Sequence, residues 1–430
     1  MPEVITVIEH ESVPIVRSRT GRQKELGEKH SHLLEKLEGE IPSRAFSWGN
    51  REIKFASYCG VISLGDISIE ILPKIYGIEA DDVGSSRKAL IHMLYSARRM
   101  KLYEADTAKI DLQKRFLLDI FILHFCRRLR AQLARGMIRK YVSRKENLKV
   151  LRGKLKIGEH SKRNLIHKER LFCQYDELSA DNAYNRILKY VLAIMLKEAK
   201  GNHTLRQVSE LLGRFDAISD CAVDSAILDQ LIFDRLNERY KPVFDQCRYF
   251  LDGLFPNVIT GKKNCLALLF DMNRLFEEYV GSQLRKEGRM QGLRTREQGP
   301  LEYFARLENS NEKVFGMKPD FSFINRKGQI VMIADAKWKI LDEGEKNFAI
   351  SQTDMYQIGS YASRYGVRNL ALFYPMQEKL TERIKLTLLK EHEEVPTTLH
   401  ILPIDISGKR QNEFAFWKEN RETTLQGKTQ

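Results

Sequence analysis

The chain has 430 residues, with 71 Lys+Arg against 57 Asp+Glu and a formal net charge of +14. At 43% hydrophobic and 30% charged residues it can bury full cores, which excludes a disordered chain, and its length fits about two to three domains. No run reaches the ~18 apolar residues of a membrane helix, and Met1-Pro2-Glu3 opens no basic-then-apolar leader, so a cytoplasmic protein with no membrane contact is expected.

In chain order, residues 1–77 read as strand-rich. Short apolar or alternating runs at 5–8, 46–48, 53–55, 61–64 and 67–72 are separated by Gly49-Asn50, Gly60 and Gly65-Asp66. Residues 22–38, rich in Lys, Glu and Leu, predict a helix between these strands. The result is a β-rich N-terminal domain.

Residues 78–258 turn helical, with predicted helices at 89–102, 112–141, 205–215, 225–240 and 242–254. A further helix, capped by Ser179 or Asp181, carries Ile187, Leu188, Val191, Leu192, Met195 and Leu196 at helical spacing. Net charge concentrates here. Between Cys126 and Arg170 there are 16 Lys+Arg against three Glu, while the rest of the chain is close to neutral. The layout reads as a helical arm with a basic end, suited to a phosphate backbone or an acidic partner, or else a solvated face.

Residues 259–430 change pattern again. A helix at 271–288, with Asp271 at its start, precedes strands at 301–307, 314–315, 320–324 and 330–337. A helix at 353–365 and strands at 369–374 and 399–403 follow, the order of an α/β core. The last ten residues read as a loose tail. The fold class is therefore α+β multidomain: a β-rich N-terminal domain, a helical middle and a C-terminal α/β domain. Six scattered cysteines without CxxC spacing read as reduced thiols, and ten histidines form no zinc motif.

The chemistry concentrates between residues 317 and 339. Strands 320–324 and 330–337 are joined by Asn325-Arg326-Lys327-Gly328, a hairpin by its sequence. Asp335 and Lys337 are two apart, so they project from one face of the second strand. Asp320 opens the first strand and reaches the end of the second. Two carboxylates and an ammonium thus converge at one sheet edge, suited to Mg²⁺-assisted phosphodiester hydrolysis. Lys337 would orient the attacking water and offset developing charge. A third carboxylate comes from the preceding helix, Glu277 in preference to Glu278. The plain alternative is an ordinary ion pair between Asp335 and Lys337.

Pro319-Asp320 followed by Asp335-Ala336-Lys337 resembles the PD-(D/E)xK nuclease motif. Gln357-Ile358-Gly359-Ser360-Tyr361 resembles the QxxxY element of its RecB-like branch, in which the Gln and Tyr lie near the active site and the DNA. Gly60-Val61-Ile62-Ser63-Leu64 leading to Ile69-Glu70-Ile71-Leu72-Pro73-Lys74-Ile75 is similar to the N-terminal signature of the McrC family. Leu151-Arg152-Gly153-Lys154-Leu155, the stretch 171–189 and Met272-Asn273-Arg274-Leu275-Phe276-Glu277 resemble its middle region and the approach to its nuclease.

The resemblance implies the nuclease subunit of a modification-dependent restriction complex. It would cut double-stranded DNA carrying 5-methylcytosine with Mg²⁺, and stimulate an McrB-like AAA+ GTPase that binds the GTP. The absence of a GxxxxGK[ST] loop agrees with GTP being held by that partner. The N-terminal domain and helical arm would dock on the GTPase ring, and one active site per chain favours self-pairing of copies to cut both strands. The alternatives are a non-catalytic activator of an AAA+ NTPase and a stand-alone RecB-like repair exonuclease.

Overall fold

The computed structural model describes residues 3–19, 24–39, 41–42, 44–75, 82–97, 116–223, 225–255, 265–339, 341, 346–377, 380–389, 396–408 and 412. Strands β1 (Glu3–Ile8), β2 (Ser12–Val16) and β3 (Leu26–Gly27) lead into helix α1 (Glu28–Leu37), and β4 (Phe46–Gly49), β5 (Glu52–Phe55), β6 (Tyr58–Ser63) and β7 (Ile67–Leu72) follow. The small sheet β3-β2-β5-β4 packs beside a five-stranded sheet ordered β1-β7-β6-β12-β11. β7 is buried along its whole length, as a strand covered on both faces must be.

The middle region holds α2 (Val83–Ala97), α3 (Leu117–Leu133), β8 (Lys140–Leu148), β9 (Lys154–Leu155), α4 (Ile157–Arg163), β10 (Leu171–Ser179), α5 (Ala183–Glu198), α6 (Asn202–Gly213), α7 (Lys241–Asp252) and β11 (Leu254–Phe255). The arm expected at 112–141 is shorter than its sequence suggests. The helix ends at Leu133, and Gly136 then takes a φ of +100°, which a side-chain-bearing residue would resist. Residues 140–148 form a strand antiparallel to β10, with β9 on β10's other side. The basic segment therefore ends on a small three-stranded sheet. Arg152 and Arg163 lie over the rings of Tyr175 and Phe172 there, 4.0 and 4.7 Å from their centroids.

Two smaller expectations also change. Asn182, not Ser179 or Asp181, caps α5, its side chain accepting from the Asn185 N–H. The helix expected at 225–240 reduces to two short 3₁₀ turns, Ser225–Gln230 and Glu238–Tyr240. Between them the Asp234 carboxylate accepts from the Leu236 N–H at 2.9 Å, a local turn that competes with the helix. Residues 98–102 and 112–115 of the expected helices, and the expected tail, lie outside the described residues.

The C-terminal part comprises β12 (Cys265–Asp271), α8 (Met272–Met290), β13 (Arg294–Glu297), β14 (Glu302–Arg306), β15 (Lys313–Met317), β16 (Phe321–Ile324), β17 (Ile330–Ala336), α9 (Gln352–Tyr365), β18 (Asn369–Pro375), β19 (Ile384–Leu388) and β20 (Thr397–Ile404). Its mixed sheet runs β13-β16-β17-β18-β20-β19, with β17, β18 and β20 parallel. Strand alternation sends Met332 and Ala334 into one core with Phe276 of α8, and Ile333 into another with Ile358 and Tyr361 of α9. β12, which the sequence groups with residues 259–430, instead pairs antiparallel with β6 of the N-terminal sheet.

Candidate active site

The site forms where β16 begins and β17 ends, on the edge between α8 and α9. Asp320 immediately precedes β16, and Asp335 is the penultimate residue of β17. They lock reciprocally. The Asp320 N–H donates to Asp335 Oδ1 at 3.3 Å, and the Ala336 N–H donates to Asp320 Oδ2 at 2.9 Å. Burial pushes the Asp320 carboxyl up to about 8, helped by the charges of Asp335 and Glu277 and opposed by the Ala336 N–H and Lys337.

Lys337 sits on the α9 side with Asp335, as the two-residue spacing requires. Its Nζ lies 2.5 Å from Asp335 Oδ2 and donates to Gln357 Oε1 at 3.0 Å. Burial alone would pull the ammonium down, but Asp335, by charge and hydrogen bond, and then Asp320 and Asp354 outweigh it, so its pKa ends above the ordinary lysine value. Gln357 Nε2 in turn donates to Tyr361 Oη at 2.9 Å, one helical turn along α9. Tyr361 donates to the Lys318 carbonyl at 3.3 Å. Burial, with Asp335 nearby, pushes that phenol up to about 12.

Glu277 enters from α8. Gln298 bridges it to the motif, its Nε2 donating to Glu277 Oε1 and, at 3.2 Å, to Asp320 Oδ1. Burial and then the charges of Asp335 and Glu278 raise the Glu277 carboxyl, against the Gln298 bond. Glu278 is tied instead to Arg274, at 3.1 Å. The structure therefore gathers Asp320, Asp335, Lys337, Glu277, Gln357 and Tyr361 into one hydrogen-bonded neighbourhood.

Among the described residues, no three His, Cys, Asp or Glu side chains already form a closed metal-holding group. The donor chemistry nevertheless fits a hard divalent cation. Asp320, Asp335 and Glu277 offer carboxylate oxygens, and two of the three carboxyls are held above their ordinary range by burial and mutual repulsion.

Two participants carried no motif in the sequence. Gln298 lies in the connection between β13 and β14, where only its position opposite Glu277 gives it meaning. Asp354 is buried in the first turn of α9, 2.7 Å from Lys339 Nζ and 3.9 Å from Lys337 Nζ. Its signal was present: Asp354, Gln357 and Tyr361 share one face at spacings of three and four.

A family model for the McrBC 5-methylcytosine restriction system component matches residues 53–375. No curated protein matches. Among solved structures, the chain is similar to one in a "Refined half-complex from tetradecameric assembly of Thermococcus gammatolerans McrB AAA+ hexamers with bound McrC", at 19% identity over 99% of both chains and a TM-score of 0.73. It is also similar to a chain in the "Cryo-EM structure of the Thermococcus gammatolerans McrBC complex", at 21% identity over 65% of this chain and 87% of that one, with a TM-score of 0.50. At such identities these likenesses concern the fold, but the family match spans most of the sequence, and the chain belongs to the family of McrBC 5-methylcytosine restriction system components.

Proposed function

We propose that this chain is the cutting subunit of a GTP-driven, McrBC-type restriction complex, a Mg²⁺-dependent endonuclease acting on double-stranded DNA that carries 5-methylcytosine. The observation that carries this reading is Lys337 held between Asp335 and Gln357, beside an Asp320 carboxyl raised to about 8. Asp320, Asp335 and Glu277 would hold the ion. When bound, it would lower the pKa of water and offset charge on the transferring phosphoryl group.

The chain's own groups then have separate tasks. Lys337, with its pKa raised, stays an ammonium at neutral pH, so it orients water and offsets developing charge rather than taking a proton. Gln357 fixes that ammonium, and Tyr361 fixes Gln357. Gln298 sets the spacing between Glu277 and Asp320.

We further propose that residues 1–77 and 78–258 face an McrB-like AAA+ GTPase, which binds GTP and whose hydrolysis this chain stimulates, while residues 259–430 cut. The fold shared with McrC bound to McrB hexamers supports the partner. So does the sheet β8-β10-β9, which with its flanking turns exposes Tyr141, Val150, Leu151, Ile157, Leu165 and Ile166 among basic residues.

The test is plasmid cleavage by the chain reconstituted with its GTPase, on methylated and unmethylated DNA with Mg²⁺ and GTP, beside Asp335→Ala. Cutting that requires GTP and methylation and vanishes in Asp335→Ala is expected. No cutting by the wild type, with the partner's GTP hydrolysis still accelerated, would replace the nuclease reading with that of an activator. Cutting of DNA ends with Mg²⁺ alone would replace it with that of a stand-alone exonuclease.

A further inference from the structure

The first strand of the chain reaches the catalytic edge. Glu9, the residue after β1, is buried, with 4% of its surface exposed. Its backbone N–H donates to Leu72 O at 2.9 Å, so its position is fixed by the N-terminal sheet. Its carboxyl accepts from the Lys74 N–H at 2.9 Å and from the Trp338 indole Nε1–H, which lies 3.2 and 3.0 Å from the two oxygens.

Trp338 follows Lys337 directly, and its ring packs on Phe276, centroids 5.5 Å apart. Phe276 precedes Glu277. One indole therefore touches the segments that carry both Lys337 and Glu277, on the face of the sheet opposite the Asp335–Lys337 pair. An indole has a single N–H to donate, and a buried carboxyl without donors is costly, so each group specifies the place of the other. Burial pushes the Glu9 carboxyl up to about 7, and the Trp338 hydrogen bond is the largest influence opposing that rise.

We propose that Glu9 is a positioning residue for the nuclease: from the N-terminal sheet it anchors the Trp338 indole and thereby sets the places of Lys337 and Glu277. The proposal rests on the nuclease reading above. It gives the part of the chain proposed to face the GTPase a direct mechanical connection to the cutting site. A shift of β1 relative to β17 would move the indole, and with it the ammonium that must meet the scissile phosphate.

The experiment uses the full chain in the reconstituted complex, with Glu9→Leu, Glu9→Gln, Trp338→Phe and Asp335→Ala in parallel. Glu9→Leu and Trp338→Phe are expected to slow single-turnover cleavage roughly ten- to a hundredfold, since misplacement by about 1 Å costs that order. DNA affinity and the partner's GTP hydrolysis should stay within about twofold of wild type. Glu9→Gln keeps an acceptor for the indole and should restore most of the rate. In chains carrying Trp338 as the sole tryptophan, its emission should shift in Glu9→Leu and return in Glu9→Gln.

Wild-type cleavage in Glu9→Leu or Trp338→Phe would overturn the proposal. So would a rate that falls only in step with lost GTPase stimulation, or a Glu9→Gln variant no faster than Glu9→Leu. Persistent cutting in Asp335→Ala would instead strike the nuclease reading itself.

Discussion

Asp320→Asn in the metal-free chain should remove a pH dependence of stability that the wild type carries. The folded carboxyl titrates near 8, whereas its unfolded reference is 3.8. Between those values the folded state keeps a proton that the unfolded state has lost. The stabilisation from this group is thus complete below about pH 4 and disappears as pH rises through about 8. The slope for one such proton is ~1.4 kcal/mol per pH unit. An asparagine carries no charge at any of these pH values and can still accept from the Ala336 N–H. Denaturation in chelator at pH 5, 6, 7, 8 and 9 should show wild-type stability falling relative to the variant up to pH 8 and then levelling. At the proposed Mg²⁺ site the same proton must leave before the cation binds, so the apparent Mg²⁺ affinity of the wild type, read by calorimetry, should rise up to about tenfold per unit over pH 5–8. Parallel stability profiles for the two proteins would refute the view that crowding and burial hold Asp320 protonated.

Other substitutions test other contacts. Gln357→Leu removes one of the acceptors of Lys337 Nζ, leaving Asp335, and should slow single-turnover cleavage about tenfold, the order of one hydrogen bond to a charged group. An unchanged rate would show that Lys337 needs no such support. Gly60→Ala would place a Cβ 1.8 Å from the Leu268 carbonyl oxygen, at a φ of +145°, and should cost about 3 kcal/mol or more in chemical denaturation. A stable variant would contradict the close β6–β12 pairing. Arg87→Met strips the cation from buried Glu70, which Arg87 meets at 2.6 Å, and should cost about 3–5 kcal/mol, with Glu70→Gln added to it recovering part. No loss on denaturation would mean that the pair is not closed in solution.

The sequence exposed those parts of the site that obey a local period. Asp335 and Lys337 share a strand face, and Gln357 and Tyr361 share a helix face, so the pattern alone places each pair. Glu277 and Glu278 could not be separated that way. Both flank the buried stripe of Leu275, Phe276, Tyr279 and Val280, and the distinction is made by Gln298, 21 residues further on. The basic sheet was hidden for a related reason. β8 reads KYVSRKENL and fully buries none of its residues, so its sequence shows no apolar alternation, while Leu129, Leu133 and Ile138 extend a helical rhythm past the true end of α3. Trp338 carries no local signal of its role, because Glu9, its partner, is 329 residues away.

The course of β12 bears on how relatives of this chain could diverge. It completes a sheet begun at residue 3 and runs without interruption into α8, where Asp271 ends the strand and caps the helix that carries Glu277. Recombination joining a new C-terminal part at residue 259 would import a foreign strand against β6, where Gly60 tolerates only a backbone of the native path. An excised C-terminal fragment would carry β12 as a strand stripped of both its neighbours, β6 and β11, inviting aggregation through its open edges. A productive exchange of this C-terminal part would therefore need a join beyond Asp271, or would have to carry the N-terminal sheet along with it.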